Sequence, residues 1–291
     1  MKIGFIGAGA MGALMAQHVA DSGHQVSVFD TNADALATAT SGSVTAAQSV
    51  ASIARSCEVI VIMVASDDQS RAVVGAIIDA GRASKSTPKT TIVVAATNHP
   101  DTMRELATKC AKHGLGFVDA PVCYGMQGAK QGNLISLCGG LKADVDHVRP
   151  ILMSYSRSVE HVGDIGAGQI AKTCNNMMHW AACVANFETL ALAKSYGLDA
   201  QKMREILLKC PARNTTLERW DTSRFTWHEK DMDVALSLSQ QVGLSLPFFG
   251  QVDQLMKRLS PDQVRRLLYE NTSEYLGQTI GLEPSDLEPE R

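Results

Sequence analysis

Four polar side chains stand together on an otherwise apolar stretch: Lys172, Asn175, Asn176 and His179. If Gln169–Ser195 is a helix, Asn176 lies one turn beyond Lys172 on the same face, and Asn175 and His179 stay near it. Such side chains are costly to bury without partners. A solvated stripe is the alternative, but Ile170, Met177, Met178, Trp180 and Ala181 surround them and leave little room for one. A lysine partly withdrawn from water gives up its proton more readily, which suits general acid–base work near neutral pH. Lys172 is therefore the candidate proton-transfer group. His179 reads as a packed or supporting residue.

A second constellation opens the chain. Gly7-Ala8-Gly9-Ala10-Met11-Gly12 follows the apolar strand Lys2–Ile6 and leads into an apolar helix through Ala13–Ala20. The three glycines suit a tight turn, close approach of backbone to a pyrophosphate, and close helix–strand packing. The helix start offers unpaired N–H groups and partial positive charge to phosphates. A second strand, Gln25–Phe29, ends at Asp30. A carboxylate there accepts hydrogen bonds from the ribose hydroxyls of NAD and repels the 2′-phosphate of NADP. NAD is the expected cofactor, with NADP less favoured.

The elements that must carry these groups alternate. Val59–Val64, Thr91–Val94 and Gly116–Val118 read as buried strands, with helical patterns at Asp68–Ile78 and Asp101–His113. This predicts an α/β fold, a Rossmann-type parallel sheet covered by helices. Gln131–Cys138 and Ser158–Val162 read as further strands flanking a helix near Ala143–Ser154. After Gly168 the period changes. Gln169–Ser195 is a long helix without Pro or Gly, spanning ~40 Å at the usual helical rise. Helical patterns follow at Ala200–Lys209, Lys230–Gln241, Pro247–Lys257 and Pro261–Gly277, and no strand-like alternation recurs. The expected organisation is a dinucleotide-binding domain over 1–163 and an all-α substrate and oligomerisation domain over 164–291, joined by the long helix. The substrate is expected in the cleft between them, and the tail Glu283–Arg291 is expected to fray.

Composition sets outer bounds. Lys plus Arg number 27 and Asp plus Glu 30, a formal charge of −3 over 291 residues. That balance argues against a nucleic-acid binder. No apolar run reaches the ~20 residues of a membrane helix. Four glycines interrupt Ile3–Ala16, which argues against an export signal and for a cytoplasmic protein. The seven cysteines have no metal-ligand spacing and read as reduced, packed thiols, and no metal site is expected.

Four segments in order resemble the β-hydroxyacid dehydrogenase family, which includes 3-hydroxyisobutyrate dehydrogenases and tartronate semialdehyde reductases. They are the glycine turn with Met11; Asp119-Ala-Pro-Val-Cys-Tyr-Gly-Met-Gln-Gly-Ala129; Gly163-x-x-Gly-x-Gly-x-x-x-Lys172-x-x-Asn175-Asn176; and Lys230-Asp231. The resemblance runs from Lys2 to about Gly281. It implies hydride transfer between NAD and a small β-hydroxy acid. Lys172 would be the general acid and base, and Asn176 would align the reacting carbonyl or hydroxyl. It places Val64, Ala65, Thr97 and Lys230 at the cofactor, beside Gly7, Gly9, Ala10, Met11, Gly12 and Asp30. It gives the substrate carboxylate to the glycine-rich loop at Cys123, Tyr124 and Gly125, where the family usually has Ser-Gly-Gly. Backbone donors survive that change and a serine hydroxyl contact does not. Tyr124 is bulky for a position needing positive φ. Cys123 reads equally as a packed small residue or a pocket residue. The departures imply a 3-hydroxyisobutyrate-like substrate or a bulkier relative. The family's assemblies imply a homodimer or homotetramer. The alternatives are an imine reductase, which carries another residue at the Lys172 position, and a non-catalytic NAD-binding interaction protein, which would have lost the lysine.

Overall fold

A computed structural model describes residues 1–40, 42–81, 90–222 and 224–281, so the tail Glu283–Arg291 lies outside the described residues. The chain divides into two compact units, 1–172 and 173–291.

The first unit is built on strands β1 (Lys2–Ile6), β2 (Gln25–Phe29), β3 (Val44–Ala46), β4 (Val59–Ile62), β5 (Thr91–Val94) and β6 (Gly116–Asp119). They pair in parallel in the order β3-β2-β1-β4-β5-β6. This is the strand order of a dinucleotide-binding Rossmann sheet. Helices α1 (Ala10–Asp21), α2 (Ala33–Ala39), α3 (Val50–Ser56), α4 (Asp67–Ala80) and α5 (Pro100–Lys112) cover it. Each strand supplies both faces, because side chains alternate. Val59 and Val61 join the core formed with Phe5, Met15 and Val19. Ile60 and Ile62 join the opposite core, with Val74, Met103 and Leu106. Hence VIVI is apolar throughout.

The sheet continues through β7 (Val122–Cys123), α6 (Gly125–Lys130), β8 (Leu134–Gly139), α7 (Lys142–Met153) and β9 (Ser156–Gly163). β8 runs antiparallel to β6 and β7 and parallel to β9. The strand expected from Gln131 starts at Leu134, because Gly132 turns the chain at φ +61°. The elements α2, β3 and α3 have no counterpart in the sequence reading. At seven, three and seven residues they are too short for a clear period. Their signals are caps instead: Asn32 accepts the amides of Asp34 and Ala35, and Ser49 forms a reciprocal pair with Ser52.

Helix α8 (Ala167–Ser195) is 29 residues long. In the second unit its Trp180, Cys183, Phe187 and Leu190 share one core with Trp220, Met232, Val252, Met256 and Leu267. The other helices there are α9 (Ala200–Leu207), α10 (Thr215–Glu218), α11 (His228–Gln241), α12 (Pro247–Met256) and α13 (Pro261–Tyr269). This half is helical, as expected, with one exception. Where the sequence pattern predicts a helix through Gly277, α13 stops at Tyr269 and a hairpin follows, β10 (Ser273–Tyr275) and β11 (Gln278–Ile280). Leu276 and Gly277 at its tip both have positive φ, 52° and 78°. Three-residue strands fall below what alternation reveals. Among the described residues no helix is long and apolar enough to cross a membrane.

Candidate active site

The glycine turn sits at the carboxyl end of β1. Gly7 has φ +101°, and a Cβ on it would fall 2.2 Å from the Met63 carbonyl. A Cβ on Gly12 would fall 2.0 Å from the Gly7 carbonyl, so α1 packs against the turn only with glycine there. Gly9 differs: among the described residues nothing beyond its own stretch of chain lies within 4 Å of where its Cβ would be. It borders open space at the start of α1, whose N-cap makes no side-chain hydrogen bond. Ala10 is exposed and Met11 half-buried in the same turn. The Asp30 carboxylate accepts the Ala8 amide at 2.6 Å through Oδ2 and the Asn32 amide at 2.8 Å through Oδ1. The acid is thus tied to the turn. Open backbone, an uncapped helix start and a fixed carboxylate are what a dinucleotide's pyrophosphate and ribose require, so these residues fit NAD.

Val64 and Ala65 follow β4 and Thr97 follows β5, the next strands in the sheet. Val64 Cγ1 would touch a Cβ on Gly7, at 3.4 Å. The Ala65 amide donates to Gln69 Oε1 at 2.8 Å, and Thr97 is half-buried. These groups share the carboxyl edge of one sheet with the glycine turn. Lys230 lies in the second unit, half-buried in the first turn of α11. Its neighbour Asp231 is buried and accepts the Trp180 indole N–H at 3.0 Å, joining α11 to α8.

Lys172 is half-buried, and its Nζ lies 4.0 Å from Cys123 Sγ. Cys123 is buried at the end of β7. Burial pushes its thiol up, and the charge of Lys172 acts in the opposite direction. Asn176 is buried and its Oδ1 accepts from the exposed Asn175 at 3.1 Å. His179 Nδ1 pairs with Thr216 Oγ1 at 2.9 Å, a supporting position. One expectation needs correction. Ile170 and Met178 are 40% and 71% exposed, because they project from the outer side of α8.

Tyr124 also departs from expectation. It adopts the left-handed conformation that its bulk argues against, at φ 83° and ψ 0°. A cation on its ring and a neighbouring glycine accommodate it. The Arg157 guanidinium lies 4.3 Å from the ring centroid. On the other side Gly128 leaves space, since a Cβ there would fall 2.6 Å from Tyr124 Cβ. The ring packs against the first unit's core, and the neighbouring Cys123 approaches Lys172.

The sheet order, the turn and its acid define a dinucleotide-binding fold of the Rossmann type. Residues 2–163 match the family profile described as the NAD-binding domain of 6-phosphogluconate dehydrogenase, and residues 166–267 match that described as NAD-binding of NADP-dependent 3-hydroxyisobutyrate dehydrogenase. The chain is 32% identical over 219 residues to a 3-hydroxyisobutyrate dehydrogenase of Pseudomonas aeruginosa, covering 75% of this chain and 73% of the relative. It is 31% identical to an NAD-dependent L-serine dehydrogenase of the same organism, covering 75% and 72%. The solved 3-hydroxyisobutyrate dehydrogenase of Mycobacterium tuberculosis with L-serine shares the fold, with TM-score 0.80, 24% identity, and 92% and 99% of the two chains covered. The chain belongs to the β-hydroxyacid dehydrogenase family, as an NAD-dependent dehydrogenase of hydroxy acids.

Proposed function

We propose that this enzyme oxidises the hydroxyl of a small β-hydroxy acid, with Lys172 as general base in that direction and general acid in reduction. The observation that carries the reading is Lys172 Nζ beside the Cys123 end of the glycine-rich loop, 4.0 Å from the sulfur. A carboxylate held by that loop sets a β-hydroxyl within reach of the amine, which takes the hydroxyl proton as the carbonyl forms. Asn176, one turn further along α8, aligns the oxygen. NAD, when bound, supplies the acceptor for the hydride leaving the carbinol carbon. Asp30 favours NAD over NADP by repelling a 2′-phosphate.

L-Serine and 3-hydroxyisobutyrate, named for relatives of this chain, are both β-hydroxy acids. Cys123 and Tyr124 in place of Ser-Gly favour a bulkier or less simply anionic member of the class over 3-hydroxyisobutyrate itself. The second unit is the surface by which copies of the chain would assemble as a dimer or tetramer. The lysine at position 172 weighs against an imine reductase and a non-catalytic NAD-binding protein. A panel of hydroxy acids, amino alcohols and sulfonates assayed for NADH formation tests the reading. Turnover confined to compounds without a β-hydroxy acid would refute it, and 3-hydroxyisobutyrate or glycerate as the best substrate would refute the finer preference.

A further inference from the structure

Lys172 stands near the start of α8, and two fully buried polar side chains hold that start in place. Asp119, the last residue of β6, accepts the Gly166 amide at 2.7 Å through Oδ1 and the Gln169 amide at 3.0 Å through Oδ2. Gln169 in turn accepts the Asn98 amide at 3.0 Å through Oε1 and donates from Nε2 to the Ala96 carbonyl at 2.8 Å. Both residues are 0% exposed. One carboxylate and one carboxamide therefore tie the first turn of α8 to the carboxyl ends of β5 and β6.

The fit has no slack. A Cβ at Gly139 would fall 2.5 Å from Asp119 Oδ1, and one at Gly168 would fall 2.8 Å from Oδ2. A buried acid is an expensive way to fasten a helix, because burial pushes the Asp119 carboxyl up while the amides of Gly166 and Gln169 act against that. Apolar packing would hold the helix at lower cost, but it does not fix a helix start in register as directed hydrogen bonds do. Gln169 precedes Lys172 by three residues, on the adjacent turn. A shift or rotation of that turn moves the amine directly.

We propose that Asp119 and Gln169 are positioning residues for Lys172, fixing the height and rotation of the first turn of α8 so that the amine meets the reacting hydroxyl. The inference rests on Lys172 being the proton-transfer group. Displacing a catalytic group by ~1 Å can cost on the order of 10²-fold in rate.

The test uses the full-length enzyme with NAD and its best panel substrate. Asp119→Asn preserves shape but can no longer accept both amides as a carboxylate. Gln169→Met preserves length and burial and removes both bonds. Each should lower kcat by about 10- to 100-fold, and Asp119→Asn should change NAD affinity by less than about twofold. In a Lys172→Ala background neither should lower the residual rate much further. An anchor serving only the fold would instead lower that rate by the same factor as in the wild type, and that result overturns the proposal. Folded single variants at wild-type kcat, with Lys172→Ala impaired, overturn this inference alone. Lys172→Ala at wild-type kcat overturns both it and the reading beneath it. If Asp119→Asn does not fold, Gln169→Met decides, and loss of the fold in both assigns the contacts to folding and overturns the proposal.

Discussion

Lys172 Nζ and Cys123 Sγ approach to 4.0 Å, so the lysine proposed for proton transfer meets the glycine-rich loop at a thiol. A thiol is larger than a hydroxyl and a weaker hydrogen-bond partner, so the surroundings of the amine are less polar than a serine would make them. Cys123→Ser should reorder the substrate panel, raising kcat/KM for 3-hydroxyisobutyrate relative to bulkier acids. NAD affinity should stay within about twofold, since the phosphate turn is elsewhere on the sheet. An unchanged ranking would return Cys123 to the role of a packed small residue.

The same burial makes a prediction about reactivity. The thiolate is the nucleophile, and burial pushes the Cys123 thiol up, so its thiolate fraction at neutral pH is small and grows as pH rises. Iodoacetamide at neutral pH should alkylate the exposed Cys174 well before Cys123. Labelling of Cys123 should accelerate with pH. Mass spectrometry of a time course reads both, and early labelling of Cys123 contradicts the burial.

The proposed preference for NAD is tested at Asp30. Its carboxylate accepts the Ala8 amide at 2.6 Å and so stays at the turn rather than swinging away from a 2′-phosphate. The wild type should show higher kcat/KM with NAD than with NADP. Asp30→Ala should narrow the gap, chiefly through a higher KM for NAD and a lower one for NADP. Equal efficiency with both cofactors in the wild type would refute this role.

Tyr124 offers a stability test independent of chemistry. Gly128→Ala would place a methyl 2.6 Å from Tyr124 Cβ and 3.0 Å from Leu134 Cδ2. The loop must then shift, at ~1–3 kcal/mol. A lower melting temperature with weaker substrate binding is expected. Tyr124→Gly should relieve the backbone strain but lose the Arg157 stack, so its effect on stability should be the smaller of the two.

The parts legible in the sequence were those with a repeating signal. The alternation of Gln25–Phe29, the apolar run Val59–Val64, the glycine turn with its following acid, and the long helix carrying Lys172 and Asn176 all follow from pattern. The seven-residue helices α2 and α3 did not, because caps such as Asn32 and Ser49 announce a helix start without giving its length. The conformation of Tyr124 was hidden for another reason. Steric preference speaks against it, and the space at Gly128 and the guanidinium of Arg157, the latter distant in sequence, accommodate it. Asp119 stood in plain view as an acid ending a buried strand. Its partners Gly166 and Gln169 lie about fifty residues on, and nothing in local spacing joins them.

The chemical step provides the most direct test. If Lys172 takes the hydroxyl proton, Lys172→Ala should lower kcat by ~10²–10⁴-fold, the usual worth of a positioned general acid or base. That corresponds to roughly 3–5 kcal/mol of transition-state stabilisation. NAD should still bind, because the glycine turn and Asp30 are built from β1, α1 and β2 and owe nothing to α8. Lys172→Arg should not restore activity, since a guanidinium keeps its proton and cannot act as a base. Small primary amines added to Lys172→Ala should recover part of the rate in proportion to their basicity, whereas they should do nothing for Lys172→Arg, where the side chain still fills the space. A Lys172→Ala enzyme with wild-type kcat would show that the lysine beside Cys123 serves packing, and the proton would then need another acceptor.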